Sequence, residues 1–157
     1  MLDALAAARK QGKRVVFDTN MRPRLWEDRE TMCRTLERGA EVAQVVLPSF
    51  DEEQATFGDK SPSATAKRYQ GLGAETVVVK NGAGPVHLCH DDHLGFYDPP
   101  VVAQVVDTTA AGDSFAAGFM AGVLQGEEPA KAVEAAMRLS ALVVRHRGAL
   151  VDPTTHN

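Results

Sequence analysis

The chain has 157 residues, of which 44% are hydrophobic and 24% are charged, and its formal net charge at pH 7 is −4. This composition predicts one folded domain with a buried core, excludes a disordered chain, and argues against nucleic acid as a partner. Because no apolar stretch reaches the length of a membrane span and residues 1–6 lack a charged leader or cleavage site, we expect a cytoplasmic protein without a membrane partner.

The apolar pattern predicts an α/β chain without internal repeats or a clear linker. Ser61 followed by Pro62 indicates a capped helix start. The predicted helices and strands alternate in the order typical of helices packed on a parallel-rich sheet. In chain order we expect a helix at 2–11, a strand at 14–18, a helix at 28–40, a strand at 43–47, helices at 50–57 and 62–72, a strand at 75–80, strands at 86–90 and 93–97 joined by a polar turn at 91–92, and helices at 111–125 and 129–145.

Polar residues follow the first predicted strand. Residues 15–17 are apolar and indicate a buried strand, so the polar residues after them, Asn20 and Arg22 included, emerge at the carboxyl end of a parallel sheet, where ligands of such sheets bind. Arg22 and Arg24 are also compatible with solvated turn residues, which is the preferred interpretation for Arg24. Trp26 is expected to pack at the mouth of the strand.

Ser49 follows the second strand, and Glu52 lies three residues later. This spacing is typical of a capping box, in which each side chain binds a backbone N–H at the helix start. A glutamate at a helix start can also lean toward a hydrated metal ion, so the two roles are compatible.

A glycine-containing turn follows the buried strand at residues 76–79. This arrangement is consistent with a nucleotide lying across the strand end. Lys80 can meet phosphate oxygens there as a point charge, with Gly82 beside it, whereas Gly84 is expected to be a turn residue only.

Small residues lie at the start of the helix predicted at 111–125, namely Ala110 just before it and Ala111 and Gly112 within it. The first turn of a helix has free N–H groups and a positive dipole end, so a negatively charged ligand can bind there. Asp113 in the same turn has two interpretations. It accepts a proton from an attacking hydroxyl during phosphoryl transfer, or it simply interacts favourably with the helix dipole.

Residues 107–119, DTTAAGDSFAAGF, resemble the C-terminal signature of the ribokinase-like (PfkB) sugar kinases. The resemblance implies that Asp113 is the base that deprotonates the sugar hydroxyl, and that residues 110–113 form the anion hole for the transferred phosphate. Many members have glycine at the position of Ala110, so the anion hole must form here in ordinary backbone geometry or with slight strain.

Residues 17–26, FDTNMRPRLW, are similar to a stretch of the family's keto-deoxy-sugar kinases. The resemblance places Asn20 near the phosphates and metal, and Arg22 against the carboxylate of an acid sugar, which a guanidinium grips bidentately. It also implies a magnesium role for Glu52, more than for Asp51, although Ser49 stands where the family has asparagine.

The family further implies nucleotide contacts at Lys80, Gly82 and Gly112, and a monovalent cation such as K⁺ at Asp107 and Thr109 with carbonyls of the last loop. That loop, within residues 143–149, contains Gly148, which also suits an ordinary helix C-cap.

The resemblance implies the second half of a three-layer α/β/α ribokinase-like fold, with residues 1–157 as the C-terminal, ATP-binding and catalytic part and the N-terminal sugar-binding half and lid absent. The expected activity is ATP- and Mg²⁺-dependent phosphorylation of 2-keto-3-deoxygluconate to the 6-phosphate, in a homo-oligomer. Alternatives are another PfkB kinase, such as a fructokinase or ribokinase, or a non-catalytic nucleotide-binding fragment. A nicotinamide-dependent dehydrogenase is disfavoured because no Gly-x-Gly-x-x-Gly follows a predicted strand.

Overall fold

The computed structural model describes residues 2–91 and 93–151. The chain divides into two compact units, Met1–Phe96 and Tyr97–Asn157. The predicted polar turn at 91–92 includes Asp92, which lies outside the described residues. In the described part of the chain, no helix is long and apolar enough to cross a membrane.

Within the described residues, a five-stranded mixed sheet begins in the first unit, with its strands side by side in chain order. The first three strands are parallel, pairing Val16 with Val45 and Val45 with Thr76, whereas the fourth is antiparallel to the third. The carboxyl ends of the three parallel strands therefore lie at one edge of the sheet. The strands are β1 (Val16–Phe17), β2 (Val45–Val46), β3 (Thr76–Val79), β4 (Val86–His90) and β5 (His93–Tyr97).

Helices connect the parallel strands, as parallel pairing requires. Asp28 caps α2, since its Oδ1 accepts the Thr31 N–H at 2.7 Å. The start predicted for α4 is confirmed, because Ser61 Oγ accepts the Ala64 N–H at 3.1 Å and Pro62 is the first helical residue. The helices are α1 (Leu2–Lys10), α2 (Arg29–Val42), α3 (Phe50–Phe57) and α4 (Pro62–Gly71), with one 3₁₀ turn at Pro23–Leu25.

The core of this unit forms between the sheet and its helices. Val46, Val77 and Val79 are fully buried and pack in one cluster with Tyr69 of α4. All four residues of β3 are buried, as expected for a strand covered on both faces. Trp26 packs against a smaller apolar cluster, which confirms its predicted packing role.

Two helices dominate the second unit, α5 (Ala111–Leu124) and α6 (Pro129–Val143). They approach very closely, because a Cβ added at Gly118 would lie 2.8 Å from Ala136 Cα, and one at Gly122 would lie 2.9 Å from Ala132 Cβ. Glycine at these two positions lets the helix backbones meet.

The predicted order of elements is confirmed throughout the described residues. The largest differences are in β1 and β2, where strands predicted at 14–18 and 43–47 are two residues long. The predicted strands are longer because their apolar runs include flanking residues such as Val15 and Leu47. These residues are buried but lie outside the regular strand pairing.

Candidate active site

The carboxyl ends of β1, β2 and β3 bring three polar segments together. The Leu47 N–H donates to the Phe17 carbonyl at 2.9 Å, and the Phe50 N–H donates to the Lys80 carbonyl at 2.8 Å. The Lys80 N–H in turn donates to the Pro48 carbonyl at 2.8 Å, so main-chain pairing continues past β2 and β3. Residues 18–22, 48–52 and 80–82 are therefore neighbours.

An ion pair joins the first and third of these segments. Lys80 Nζ lies 2.9 Å from Asp18 Oδ2 and 3.1 Å from Oδ1, and the two side chains are only 12% and 24% exposed. The sequence singled out Lys80 but assigned Asp18 no role. The predicted phosphate-binding lysine thus already has a carboxylate partner.

Asn20 adopts a left-handed backbone conformation, with φ of 33°. Its N–H donates to Asp18 Oδ1 at 3.1 Å, which closes a turn through the aspartate side chain. Asparagine tolerates this conformation better than most residues. Its exposed side chain lies at the sheet edge where the sequence predicted a ligand.

The Glu52 carboxylate contacts two groups of the turn that contains Asn20. Its Oε2 accepts the Met21 N–H at 3.3 Å, and its Oε1 lies 3.7 Å from Arg22 Nη1. Arg22 also donates to the Met21 carbonyl, and its side chain is 59% exposed. The structure therefore brings together the residues predicted to face a sugar acid and a metal ion.

The predicted capping box is wrong. Ser49 is the N-cap of α3, but its side chain makes no capping hydrogen bond, and Glu52 turns to the Met21 N–H instead of back to Ser49. The capping box does not form because the Glu52 carboxylate binds Met21, which is distant in sequence but lies next to it in the fold. Asp51 is exposed in the same helical turn.

Glu53, next to Glu52, belongs to a buried polar cluster that sequence patterns did not indicate. Its carboxylate is fully buried and accepts from Arg68 Nη2 at 2.6 Å and from the Tyr69 hydroxyl at 2.9 Å. Burial raises the pKa of Glu53 above its usual value, while Arg68 and Tyr69 act in the opposite direction. Arg68 also pairs with Asp59 at 2.9 Å. The cluster joins α3 to α4 beneath the site.

The turn after β3 contains Gly82 in a left-handed conformation, with φ of 57°. The Gly84 N–H donates to the Asn81 carbonyl at 2.8 Å, and a Cβ at Gly84 would lie 2.6 Å from Asn81 Nδ2. Gly84 thus occupies a tight turn, as predicted.

In the second unit, the start of α5 follows a left-handed residue. Ala110 is the N-cap with φ of 59° and ψ of 15°, a conformation that costs an alanine about 1–2 kcal/mol. Of the two backbone geometries expected at Ala110, the structure therefore has the strained one. Asp113 is exposed in the first turn, and the hydroxyls of Ser114 and Ser140 both donate to the Ala111 carbonyl at 3.0 Å.

Asp107 holds the segment before this helix. Its Oδ1 accepts the Thr109 N–H at 2.8 Å and its Oδ2 accepts the Gly148 N–H at 2.9 Å. These hydrogen bonds, that from Gly148 foremost, lower the pKa of Asp107 to about 2. The Val144 carbonyl also accepts the N–H groups of Val106 and Asp107.

Gly148 is therefore not the C-cap of α6, as its sequence position suggested. That helix ends at Val143, and Gly148 lies beyond it with φ of 78°. The carbonyl at the end of α6 is satisfied by the segment before α5 instead.

No three Asp, Glu, His or Cys side chains within residues 2–91 and 93–151 are grouped so as to hold a metal ion by themselves. Glu52 can contribute one carboxylate, and Mg²⁺ commonly takes only one or two from the protein when phosphates and water supply the rest. The residues present thus fit a metal ion that arrives with a nucleotide.

A sequence model of the pfkB family of carbohydrate kinases matches residues 1–155. The 2-dehydro-3-deoxygluconokinase of Haemophilus influenzae is 34% identical over 97% of this chain and 49% of the relative. That of Bacillus subtilis is 36% identical over 89% of this chain and 43% of the relative. The chain spans about half the length of the curated relatives it matches.

Solved structures agree on the fold. The aminoimidazole riboside kinase of Salmonella enterica, complexed with aminoimidazole riboside and an ATP analogue, aligns with a TM-score of 0.86 and 27% identity over 94% of this chain and 51% of that chain. A PfkB protein from Polaromonas aligns with a TM-score of 0.80 and 31% identity over 88% and 45%. The expected ribokinase-like α/β fold is confirmed.

Proposed function

Because the chain belongs to the pfkB family of carbohydrate kinases, we propose that the protein containing it transfers the γ-phosphate of ATP to the terminal hydroxyl of 2-keto-3-deoxygluconate, giving the 6-phosphate. Residues 1–157 supply the ATP-binding and catalytic part. The observation that carries this proposal is the exposed Asp113 in the first turn of α5, three residues after the left-handed Ala110.

Asp113 acts as the general base. Its carboxylate accepts the proton of the sugar hydroxyl as the hydroxyl oxygen attacks the γ-phosphorus, and ADP leaves with the electron pair of the broken P–O bond. N–H groups of Gly112 and Asp113 at the helix start stabilise the charge on the transferring group, whereas the Ala111 N–H donates to the Thr108 carbonyl at 3.1 Å. The left-handed Ala110 supports this role because it turns the chain into the helix at that point.

Arg22 binds the carboxylate of the sugar acid. Its guanidinium is exposed and is held beside Glu52 rather than buried against it, so N–H groups remain for a bidentate contact. A neutral sugar would lack this contact, which is the reason to prefer a sugar acid.

Asn20, Lys80, Gly82 and Gly112 are the proposed nucleotide contacts. Mg²⁺, when bound, neutralises charge on the nucleotide phosphates, with Glu52 holding it directly or through water. The proximity of Glu52 to the Asn20 turn supports this assignment.

The proposed K⁺ site uses Asp107 and Thr109. Both carboxylate oxygens of Asp107 already accept an N–H, so a cation would use their second lone pairs together with main-chain carbonyls.

We also propose a cytoplasmic homo-oligomer that binds neither nucleic acid nor membrane. The net charge of −4 supports the absence of a nucleic-acid partner, and the exposed apolar side chains of Leu124 and Phe96 support self-association. Sedimentation velocity of the intact protein tests the assembly.

A substrate panel with the intact protein tests the proposed function. We expect ATP-dependent phosphorylation of 2-keto-3-deoxygluconate with a kcat/KM above those of fructose and ribose. A preference for fructose would favour the second candidate, a fructokinase, because a fructokinase of Salmonella thompson is 33% identical over 80% of this chain and 57% of the relative. ATP binding measured by calorimetry, without transfer to any sugar, would instead indicate a non-catalytic nucleotide-binding protein.

Asp113→Asn is expected to lower kcat by roughly 10²- to 10⁴-fold in the same assay, the usual effect of losing a general base. ATP affinity should change little, since the substitution keeps the size of the side chain. Turnover near that of the wild type would contradict the role of Asp113.

A further inference from the structure

We propose that Asp18 is a positioning residue that holds the turn carrying Asn20 and Arg22, chiefly through its hydrogen bond with the Asn20 N–H and secondarily through its ion pair with Lys80. The inference rests on the proposed function for its consequence at the substrate. Asp18 itself touches neither substrate nor nucleotide in this proposal.

Asp18 is bound from two sides. Lys80 Nζ lies within 3.1 Å of both carboxylate oxygens, and the Asn20 N–H donates to Oδ1 at 3.1 Å. Lys80 directly follows β3 and is itself fixed by a main-chain hydrogen bond to the Pro48 carbonyl. The carboxylate therefore links a rigid strand end to a short turn.

The turn needs such a restraint. Asn20 has φ of 33°, a left-handed conformation that costs free energy even for asparagine, which tolerates it better than most residues. The hydrogen bond to Asp18 supplies that support from within the segment.

The residues after Asn20 depend on this conformation. Met21 donates its N–H to Glu52 Oε2, and Arg22 places Nη1 3.7 Å from Glu52 Oε1. If the turn relaxes, both contacts are lost together, and the exposed guanidinium of Arg22 no longer has a fixed direction. The affinity for a sugar acid should fall by more than the nucleotide affinity, because the nucleotide keeps its proposed contacts at Lys80 and Gly82.

Asp18→Ala and Asp18→Asn in the intact protein separate the two contacts. Alanine removes both, whereas asparagine keeps an oxygen that can accept the Asn20 N–H and loses only the charge that pairs with Lys80. We expect Asp18→Ala to weaken 2-keto-3-deoxygluconate binding about tenfold, or about 1.4 kcal/mol, and Asp18→Asn by less than about threefold. ATP affinity should change by less than about threefold in both variants, because the loosened contact at Asn20 is offset by Lys80, which loses a competitor for phosphate.

Asp98→Ala, at an exposed carboxylate, is the matched control for the loss of one negative charge. Calorimetry with each ligand gives the two affinities. An equal loss, about tenfold for both the sugar and ATP, would indicate a general folding defect and overturn the inference. So would an Asp18→Ala variant with the sugar affinity of the wild type.

Hydrogen–deuterium exchange supplies a readout that needs no substrate. We expect faster exchange in residues 18–24 of Asp18→Ala, with Asp18→Asn close to the wild type and α5 unchanged in both. Unchanged exchange in residues 18–24 of Asp18→Ala would overturn the inference even for an active sugar-acid kinase. Faster exchange in a protein that phosphorylates no sugar acid would support the positioning role and contradict only the proposed function.

Discussion

Asp107 shows how one carboxylate can stabilise a loop through its ionised form. Its two oxygens accept N–H groups of Thr109 and Gly148, and these bonds lower the pKa of the carboxyl from 3.8 to about 2. A depressed pKa means that the native state binds fewer protons than the unfolded state between those values. The stabilisation is therefore complete above about pH 4 and is lost as the pH falls through about 2.

Asp107→Asn is expected to lower the urea midpoint of the intact protein at pH 7, because the ionised acceptor is gone. The difference from the wild type should shrink as the pH falls from about 4 toward 2. The same substitution at exposed Asp98 corrects for the loss of one charge. A difference that stays constant between pH 7 and pH 2 would contradict this account of Asp107.

At the scale of elements, α3 and α4 are joined by a buried ionic contact. Glu53 of α3 is fully buried between Arg68 and Tyr69 of α4, and the Arg68 guanidinium also lies 3.9 Å from the centre of the Phe57 ring. Removing one member of such a pair leaves a buried charge without its partner, which is far costlier than losing a surface ion pair.

We expect Arg68→Met to destabilise the intact protein by about 3 kcal/mol at neutral pH, measured by urea denaturation. Arg34→Met, which breaks the exposed pair with Glu30, should cost no more than about 0.5 kcal/mol. Equal effects of the two substitutions would argue against an energetically important contact between α3 and α4.

The pH dependence of Arg68→Met follows from Glu53. Burial raises the pKa of Glu53 above 4.5, and the variant lacks the guanidinium that opposes the rise. The native state then binds more protons than the unfolded state from pH 4.5 upward, so stability falls as the pH rises through that window. The loss relative to the wild type should thus be smallest near pH 4.5.

The close contact between α5 and α6 depends on glycine residues, which have no side chain to keep the helices apart. A Cβ at Gly118 would lie 2.8 Å from the backbone of Ala136, which cannot move aside as a side chain could. Gly118→Ala should therefore destabilise the protein by roughly 1–3 kcal/mol, the usual cost of overpacking. Gly71→Ala at the end of α4 is the control, because no atom lies within 4 Å of its added Cβ. A neutral Gly118→Ala would mean that the two helices can separate without cost.

Across the whole molecule, local patterns predicted the elements but not the contacts between distant segments. The cap at Ser61 and the turn at Gly84 depend on residues close in sequence, and both were predicted. The capping box at Ser49 and the C-cap at Gly148 failed because the groups concerned bind segments far away along the chain.

The same distinction applies to the candidate site. Residue type and spacing were enough to single out Lys80, Arg22, Glu52 and Asp113, but they could not reveal that Asp18 pairs with Lys80. The buried Glu53 cluster was missed for the same reason. Its only sequence signal was a second glutamate directly after Glu52, which reads equally well as an exposed helical residue.

The meeting of three strand ends also has a kinetic consequence. Asp18 and Lys80 are 62 residues apart in sequence, and Pro48, which pairs with Lys80, lies on the connection between them. Contacts of such long range form slowly, because the intervening chain must first lose its freedom. A partly folded chain can hold its helices and the β3–β4 hairpin and still lack the Asp18–Lys80 pair at the strand ends, so formation of that pair reports that this unit has finished folding.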